Sequence, residues 1–269
     1  MAELLVDRNG TCVYLTLNRP KKRNALDSAL IEALTSALRD VAVDEGVRVV
    51  VLRSSGSVFC SGADLAELAE TKASTGEQKL DSARALANLY RVMLEHPRPL
   101  IACAAGHAIG GGCGLALACD FVLAGREARF GFPEVRIGFV PAIVAALLLR
   151  RSGETTARDL LLSGRLVDAY EALRLRLVTQ VVDGPELPRA ADRLAAELAR
   201  ETSGQAIAAT KRVLADTDAL PLSSALELGA RANAEARTSA DFQAGLEAYL
   251  RRSPFPWQKV FDEPERRGP

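Results

Sequence analysis

Two glycine-bearing turns carry the residues best suited to chemistry. One is Phe59-Cys60-Ser61-Gly62-Ala63-Asp64 and the other is Gly110-Gly111-Gly112. Each lies between a strand pattern and a helix pattern. Glycine has no Cβ, so a ligand can approach its backbone closely. The helix that follows leaves its first N–H groups unpaired and adds partial positive charge there. Such a turn suits an anion or a developing oxyanion. A tight packing turn between strand and helix accounts for the glycines as well. Two turns together, however, can offer two N–H donors to one oxygen. A thioester carbonyl that loses its α-proton becomes an enolate, and one preorganised donor at that oxygen is worth about 3 kcal/mol.

Other chemistries find no support. Gly110 to Gly114 lacks the GxGxxG spacing of a dinucleotide turn, and the chain has no GxxxxGK(S/T) phosphate loop. There is no GxSxG nucleophile elbow. His96 and His107 are the two histidines, too few for a His-rich metal site. Lys plus Arg and Asp plus Glu both total 34 in 269 residues, so the net charge is zero. That balance provides neither the basic face of a nucleic-acid binder nor a polybasic membrane signal. Hydrophobic residues at 48% and charged ones at 25% match an ordinary globular protein. The five cysteines (Cys12, Cys60, Cys103, Cys113, Cys119) form no CxxC pair, which argues against a secreted disulfide framework and for a cytoplasmic setting. The N-terminal residues lack the basic start and apolar run of a signal peptide. The apolar run Val140–Leu149 is too short to span a bilayer.

The elements that must position the turns follow from periodicity. Strands are predicted at Cys12–Leu17, Val47–Leu52, Leu100–Ala105, Phe121–Ala124 and Val178–Val182. Helices are predicted at Leu26–Val43, Glu77–Glu95, Leu115–Cys119, Pro141–Arg151, Glu154–Leu162 and Asp168–Leu175. Asp64 is placed to cap a helix after the first turn. From Glu186 to Leu250 the pattern is almost wholly helical. The order predicts an α/β core followed by a helical region. No residue-level repeat is evident.

The turns sit among further blocks that together resemble the crotonase superfamily, the enoyl-CoA hydratase/isomerase group. These are Leu17-Asn18-Arg19-Pro20 with Arg23-Asn24-Ala25-Leu26, then Phe59 to Leu65, then Gly106 to Gly112 with Ala118-Cys119-Asp120. Phe130-Gly131-Phe132-Pro133-Glu134 with Gly138, and Leu162-Ser163-Gly164 with Asp168-Ala169, continue the order. The resemblance implies a crotonase-like spiral of ββα units over 1–185, holding the CoA thioester and the catalytic site. It implies an α-helical trimerisation region over 186–269, with trimers or dimers of trimers as the assembly. It assigns the oxyanion hole to the backbone N–H groups of Ala63 and Gly111. It assigns the acid/base carboxylate to Glu134, where a solvent-facing loop glutamate is the plain alternative. It places substrate and CoA contacts at Arg23, Ala25, Leu26, Ala63, Asp64, Leu65 and Ala66. An acyl-CoA thioester is the expected partner, with coenzyme A as part of the substrate and no separate cofactor or metal.

One departure bears on the reaction. Hydratases of this family carry a second glutamate two residues after the last glycine of the triplet, where this chain has Gly114. Two carboxylates can hold one water between them, whereas a double-bond isomerase needs one base that moves a proton from one carbon to another. The resemblance therefore leaves hydration of a 2-enoyl-CoA and a double-bond shift both open. A glutamate at 114 is expected to raise hydration, and Glu67 is a remote candidate for a second carboxylate. The dienoyl isomerase branch has an acid at the position of Ala142. Decarboxylation, thioester hydrolysis and a non-catalytic CoA-binding role remain as other outcomes for the same fold. Arg19, Lys21, Lys22 and Arg23 form a cationic cluster for the polyanionic CoA, or an exposed basic turn. Leu26 and Leu65 flank the ligand or pack in the core. His107 is expected to pack or hydrogen-bond, His96 to end a helix, and Asp64 and Asp120 to anchor turns. Cys60 and Cys113 are read as small buried residues.

Overall fold

The computed structural model describes residues 2–217 and 219–259. Among the described residues ten strands form two sheets: β1 (Leu4–Asn9), β2 (Cys12–Leu17), β3 (Val49–Ser54), β4 (Val58–Cys60), β5 (Leu100–Ala104), β6 (His107–Ile109), β7 (Phe121–Gly125), β8 (Arg129–Gly131), β9 (Leu166–Asp168) and β10 (Gln180–Val182). The larger sheet runs β1-β2-β3-β5-β7-β10, and the smaller runs β4-β6-β8-β9. Pairing is parallel from β2 through β10 in the first and among β4, β6 and β8 in the second.

Helices follow the strands: α1 (Ser28–Val43), α2 (Leu65–Glu70), α3 (Gly76–Leu94), α4 (Gly111–Leu117), α5 (Ala142–Ser163), α6 (Ala169–Arg174), α7 (Leu187–Glu201), α8 (Gly204–Thr217), α9 (Leu222–Ala236), α10 (Ala240–Leu250) and α11 (Pro256–Lys259). In α1 the buried residues Leu30, Leu34, Leu38 and Val41 recur at helical spacing, and the Asp27 side chain caps its first turn. Thr75 and Gln78 close a capping box on α3.

Successive residues of a strand face opposite sides of its sheet. Val50 and Leu52 of β3 join the main core, whereas Val49 and Val51 meet Leu187, Ala190, Ala191, Ala195 and Ala199 of α7. The first helix after 186 is therefore packed on the large sheet, and α8 to α11 follow it.

The long strands lie near their predicted positions. The three-residue strands β4, β6, β8 and β9, and the edge strand β1, do not appear in the sequence expectation. The helix predicted at Leu115–Cys119 begins instead at Gly111, so two of the three glycines are helical. The two helices predicted on either side of Gly153 are present within α5, which breaks at that residue, where φ is 78° and ψ 171°.

The small sheet explains how the site is assembled. β3 leads into β4, β5 into β6, and β7 into β8, so each step takes the chain from the large sheet to the small one. Cys60 pairs with Ala108, Ala108 with Phe130, and Ile109 with Gly131. Parallel strands in this register leave the sheet at one edge. The segments that leave there carry Ala63, Gly111 and Glu134.

Candidate active site

The two glycine turns are in contact. Gly62 has φ +88°, and a Cβ there would lie 2.8 Å from the Ile109 carbonyl and 3.3 Å from the Gly111 nitrogen. Only glycine permits both that backbone and that approach. The N–H groups of Ala63 and Gly111 donate to no acceptor among the described residues. Around them the other amides are used: Leu26 N–H donates to the Gly62 carbonyl, Asp64 N–H to the Leu26 carbonyl, and Gly110 N–H to the Gly131 carbonyl. Two unspent donors on adjoining turns are what an enolate oxygen requires.

Glu134 stands beside them. It lies in a 3-10 turn, Pro133–Ile137, directly after β8. A Cβ at Gly110 would lie 2.7 Å from Glu134 Oε1, so the carboxylate covers the residue before Gly111. Gly110 has φ +54° and ψ −123°, a conformation closed to other residues. Glu134 Oε2 is buried and has no hydrogen-bond partner among the described residues. Burial pushes the carboxyl above its ordinary value, offset in part by a bond to its own backbone. A carboxyl raised in this way is better matched to moving protons near neutral pH.

The first turn is held by charge. Arg19 side chain, 10% exposed, pairs with Asp27 at 2.5 Å, Asp64 at 3.1 Å and Glu3 at 3.1 Å, and also bonds the Ala25 carbonyl. Burial raises the Asp64 carboxyl, but N–H bonds from Ala66 and Glu67 and the Arg19 guanidinium outweigh it and the net shift is downward. Asp64 also caps α2 through the Ala66 N–H, as predicted. One assignment needs revising. Arg19 is an internal structural cation rather than part of a surface cluster, because three carboxylates already surround it. The Asp64 side chain is engaged by Arg19 and the cap. Asn24, fully buried, accepts the Arg19 N–H and donates to the Ser55 and Val58 carbonyls, tying this loop to β4.

Lys21, Lys22 and Arg23 remain exposed, as do Leu65 and Ala66. Ala25 and Leu26 are buried, and Leu26 belongs to the main core cluster. Leu26 also makes an isolated bridge to Ala63, so its contribution to the turn is through its backbone.

The second turn is held by packing. A Cβ at Gly112 would collide with the Cys60 carbonyl, and one at Gly111 would meet Tyr90, Leu26 and Leu86. The Tyr90 hydroxyl donates to the Gly111 carbonyl at 2.6 Å. A Cβ at Gly114 would lie 2.6 Å from Val144 Cγ1 and 2.7 Å from the Tyr90 hydroxyl. A glutamate at 114 would therefore need Tyr90 and Val144 to shift. Tyr90 was missed by sequence reasoning. Its buried neighbours on α3, Leu89 and Met93, mark it as a core residue and give no sign of what its hydroxyl meets.

Glu67 accepts the Ser28 N–H at 3.1 Å at the start of α1, so its carboxylate is already engaged there. His107 is exposed on β6, which does not fit a packing role. His96 is buried and bridges the Leu38 carbonyl and the Arg98 backbone. Asp120 accepts the Leu100 N–H and pairs with Lys211 of α8, so it anchors the helical region to the large sheet. Burial pushes the Cys60 and Cys113 thiols up to about 12, which keeps both protonated and unreactive.

The two-sheet fold thus sets two unbonded backbone N–H groups beside one half-buried carboxylate. The family model for enoyl-CoA hydratase/isomerase matches residues 7–260. The 2,3-dehydroadipyl-CoA hydratase of Escherichia coli is 35% identical, over 94% of this chain and 97% of its own length. Pseudomonas aeruginosa AtuE superposes with a TM-score of 0.91 at 34% identity, covering 96% of this chain and all of that one, 100%. An enoyl-CoA hydratase of Mycobacterium smegmatis superposes with a TM-score of 0.89 at 30% identity, over 96% and 99% of the two chains. This chain belongs to the enoyl-CoA hydratase/isomerase family and is an enzyme of that family.

Proposed function

We propose that the enzyme hydrates a 2-enoyl-CoA with Glu134 as its single acid/base. The observation that carries this is the Glu134 carboxylate lying over Gly110, next to the unspent N–H groups of Ala63 and Gly111. The thioester oxygen accepts from both N–H groups. Glu134 takes a proton from water as the hydroxyl adds to C3, and the resulting enolate is held at its oxygen. The same carboxyl then returns the proton to C2, leaving a 3-hydroxyacyl-CoA and an ionised Glu134. The hydratase names of the relatives support this direction.

A double-bond shift is the second reading, favoured by the glycine at 114. One carboxylate suffices to carry a proton between C2 and C4, and no second one is needed to hold water. The exposed Lys21, Lys22 and Arg23 suit the CoA phosphates, with Leu65 and Ala66 along the ligand. Exposed Leu222, Leu226, Tyr249 and Leu250 on α9 and α10 support assembly through the helical region as a trimer or a dimer of trimers. The free cysteines suit a reducing cytoplasm. Assaying 2-enoyl-CoA hydration and 3-enoyl-CoA isomerisation side by side tests the proposal. Faster hydration supports it, faster isomerisation replaces it with the second reading, and turnover of neither refutes both.

A further inference from the structure

We propose that Tyr90 is a positioning residue of the oxyanion site, its hydroxyl fixing the Gly111 backbone while its ring takes the space a side chain at 114 would need. The inference rests on the function proposed above, since it concerns the same pair of N–H donors.

The glycine run has no side chains of its own to hold it. Three consecutive glycines lose more conformational freedom on ordering than any other run would. The peptide that carries the Gly111 N–H is held at its own carbonyl, where Gly110 accepts the Gly114 N–H at 3.0 Å, and by bonds on either side of it. On one side the Gly110 N–H is bonded to the Gly131 carbonyl at 2.8 Å. On the other, the Tyr90 hydroxyl donates to the Gly111 carbonyl, and this is the only side-chain hydrogen bond to Gly110, Gly111 or Gly112 among the described residues. These bonds bracket the peptide that carries the Gly111 N–H. Tyr90 is 2% exposed, which leaves its ring little room to move. A donor that wanders contributes less to a transition state than one fixed in place.

The same tyrosine accounts for Gly114. Tyr90 and Val144 leave no room there for a Cβ, with Tyr90 Cζ a further contact at 3.0 Å. A hydroxyl clamp on Gly111 and a carboxylate at 114 are thus alternatives in one volume, and this chain has the clamp. The phenol O–H donates its hydrogen bond to the Gly111 carbonyl, and burial keeps it neutral, so it takes no part in proton transfer.

Tyr90→Phe removes the hydroxyl and keeps the ring. Losing one buried hydrogen bond that orients a donor should lower kcat about tenfold, with KM changed less than about twofold. The acid limb of the pH profile, set by Glu134, should not move. A purely structural role would leave the bound substrate's electronics alone. The second readout is therefore the thioester carbonyl stretch of a bound saturated acyl-CoA, recorded by difference infrared spectroscopy. We expect the wild-type band to lie below its solution frequency and the Tyr90→Phe band to move back toward it. Gly114→Ala, which crowds the hydroxyl from the other side, should move the band in the same direction. A wild-type kcat and band position in Tyr90→Phe would overturn the assignment of Tyr90 while leaving the proposed function standing. Absence of any polarised band in the wild-type complex would overturn both.

Discussion

The two turns that present Ala63 and Gly111 do the same task by different means. The first is tied down by charge: Arg19 joins Asp27 and Asp64 across the loop, and Asn24 holds the loop to β4. The second is wedged by sterics: Gly112 abuts the Cys60 carbonyl, and Tyr90 and Val144 crowd Gly114. A backbone N–H can be aimed either by ion pairs that fix a loop from its flanks or by glycines that let neighbours close in. The charged solution should respond to pH. The packed solution should ignore pH and reject a single methyl group.

The largest expected effect is at the packed turn. Gly112→Ala places a methyl group into a backbone carbonyl, which cannot swing aside. Overpacking of this kind should cost about 3 kcal/mol or more. The loss is read from the denaturant midpoint, and a variant as stable as wild type would show that the turns are not in close contact.

Next comes the charged turn. Arg19→Met leaves Asp27 and Asp64 without their cation. Breaking such a pair should cost about 2 kcal/mol, moderated because both carboxylates keep N–H partners at helix starts. Urea unfolding measures it, and an unchanged midpoint would demote the network to surface decoration.

A smaller effect separates the turns by pH. The Asp64 carboxyl is held below its ordinary value in the folded state. Its stabilisation is fully present above the unfolded value, about 3.9, and is lost as pH falls through the depressed folded one. In Arg19→Met that loss should begin at higher pH, so the acid-unfolding midpoint rises. Tyr90→Phe should leave the midpoint's pH dependence unaltered. Equal acid shifts in both variants would erase the distinction between the turns.

The smallest effect lies outside both. Lys22→Ala should raise KM for an acyl-CoA by a few-fold at low salt, with the difference fading as salt screens it. A KM insensitive to both changes would remove the cluster from the CoA site.

What the sequence discloses follows from range. The long strands of the large sheet and α1 show their period over enough residues to be read directly. β4, β6 and β8 have three residues each, too few for a period, although they line up the three site segments. Ala63, Gly111 and Glu134 were legible from motif order, and the structure brings their segments to one edge. Arg19 was misassigned because a sequence shows a charge and not its partners. The hydroxyl of Tyr90 meets Gly111 only through tertiary packing, and no local pattern announces it. Gly114 was visible as a missing carboxylate, but the reason, a filled volume, lies in α3 and α5.

The central claim is that Glu134 moves a proton at the carbon next to a thioester held by Ala63 and Gly111. Deuterium exchange at C2 of a saturated acyl-CoA in heavy water, followed by NMR, reads that step without requiring turnover. Wild-type enzyme should exchange the proton, with the rate falling on the acid side at a pH above the usual carboxylate range, because only the ionised carboxyl removes it. Glu134→Gln should bind the acyl-CoA as before and lose about a thousandfold in exchange rate. Exchange at the wild-type rate in Glu134→Gln would contradict the account.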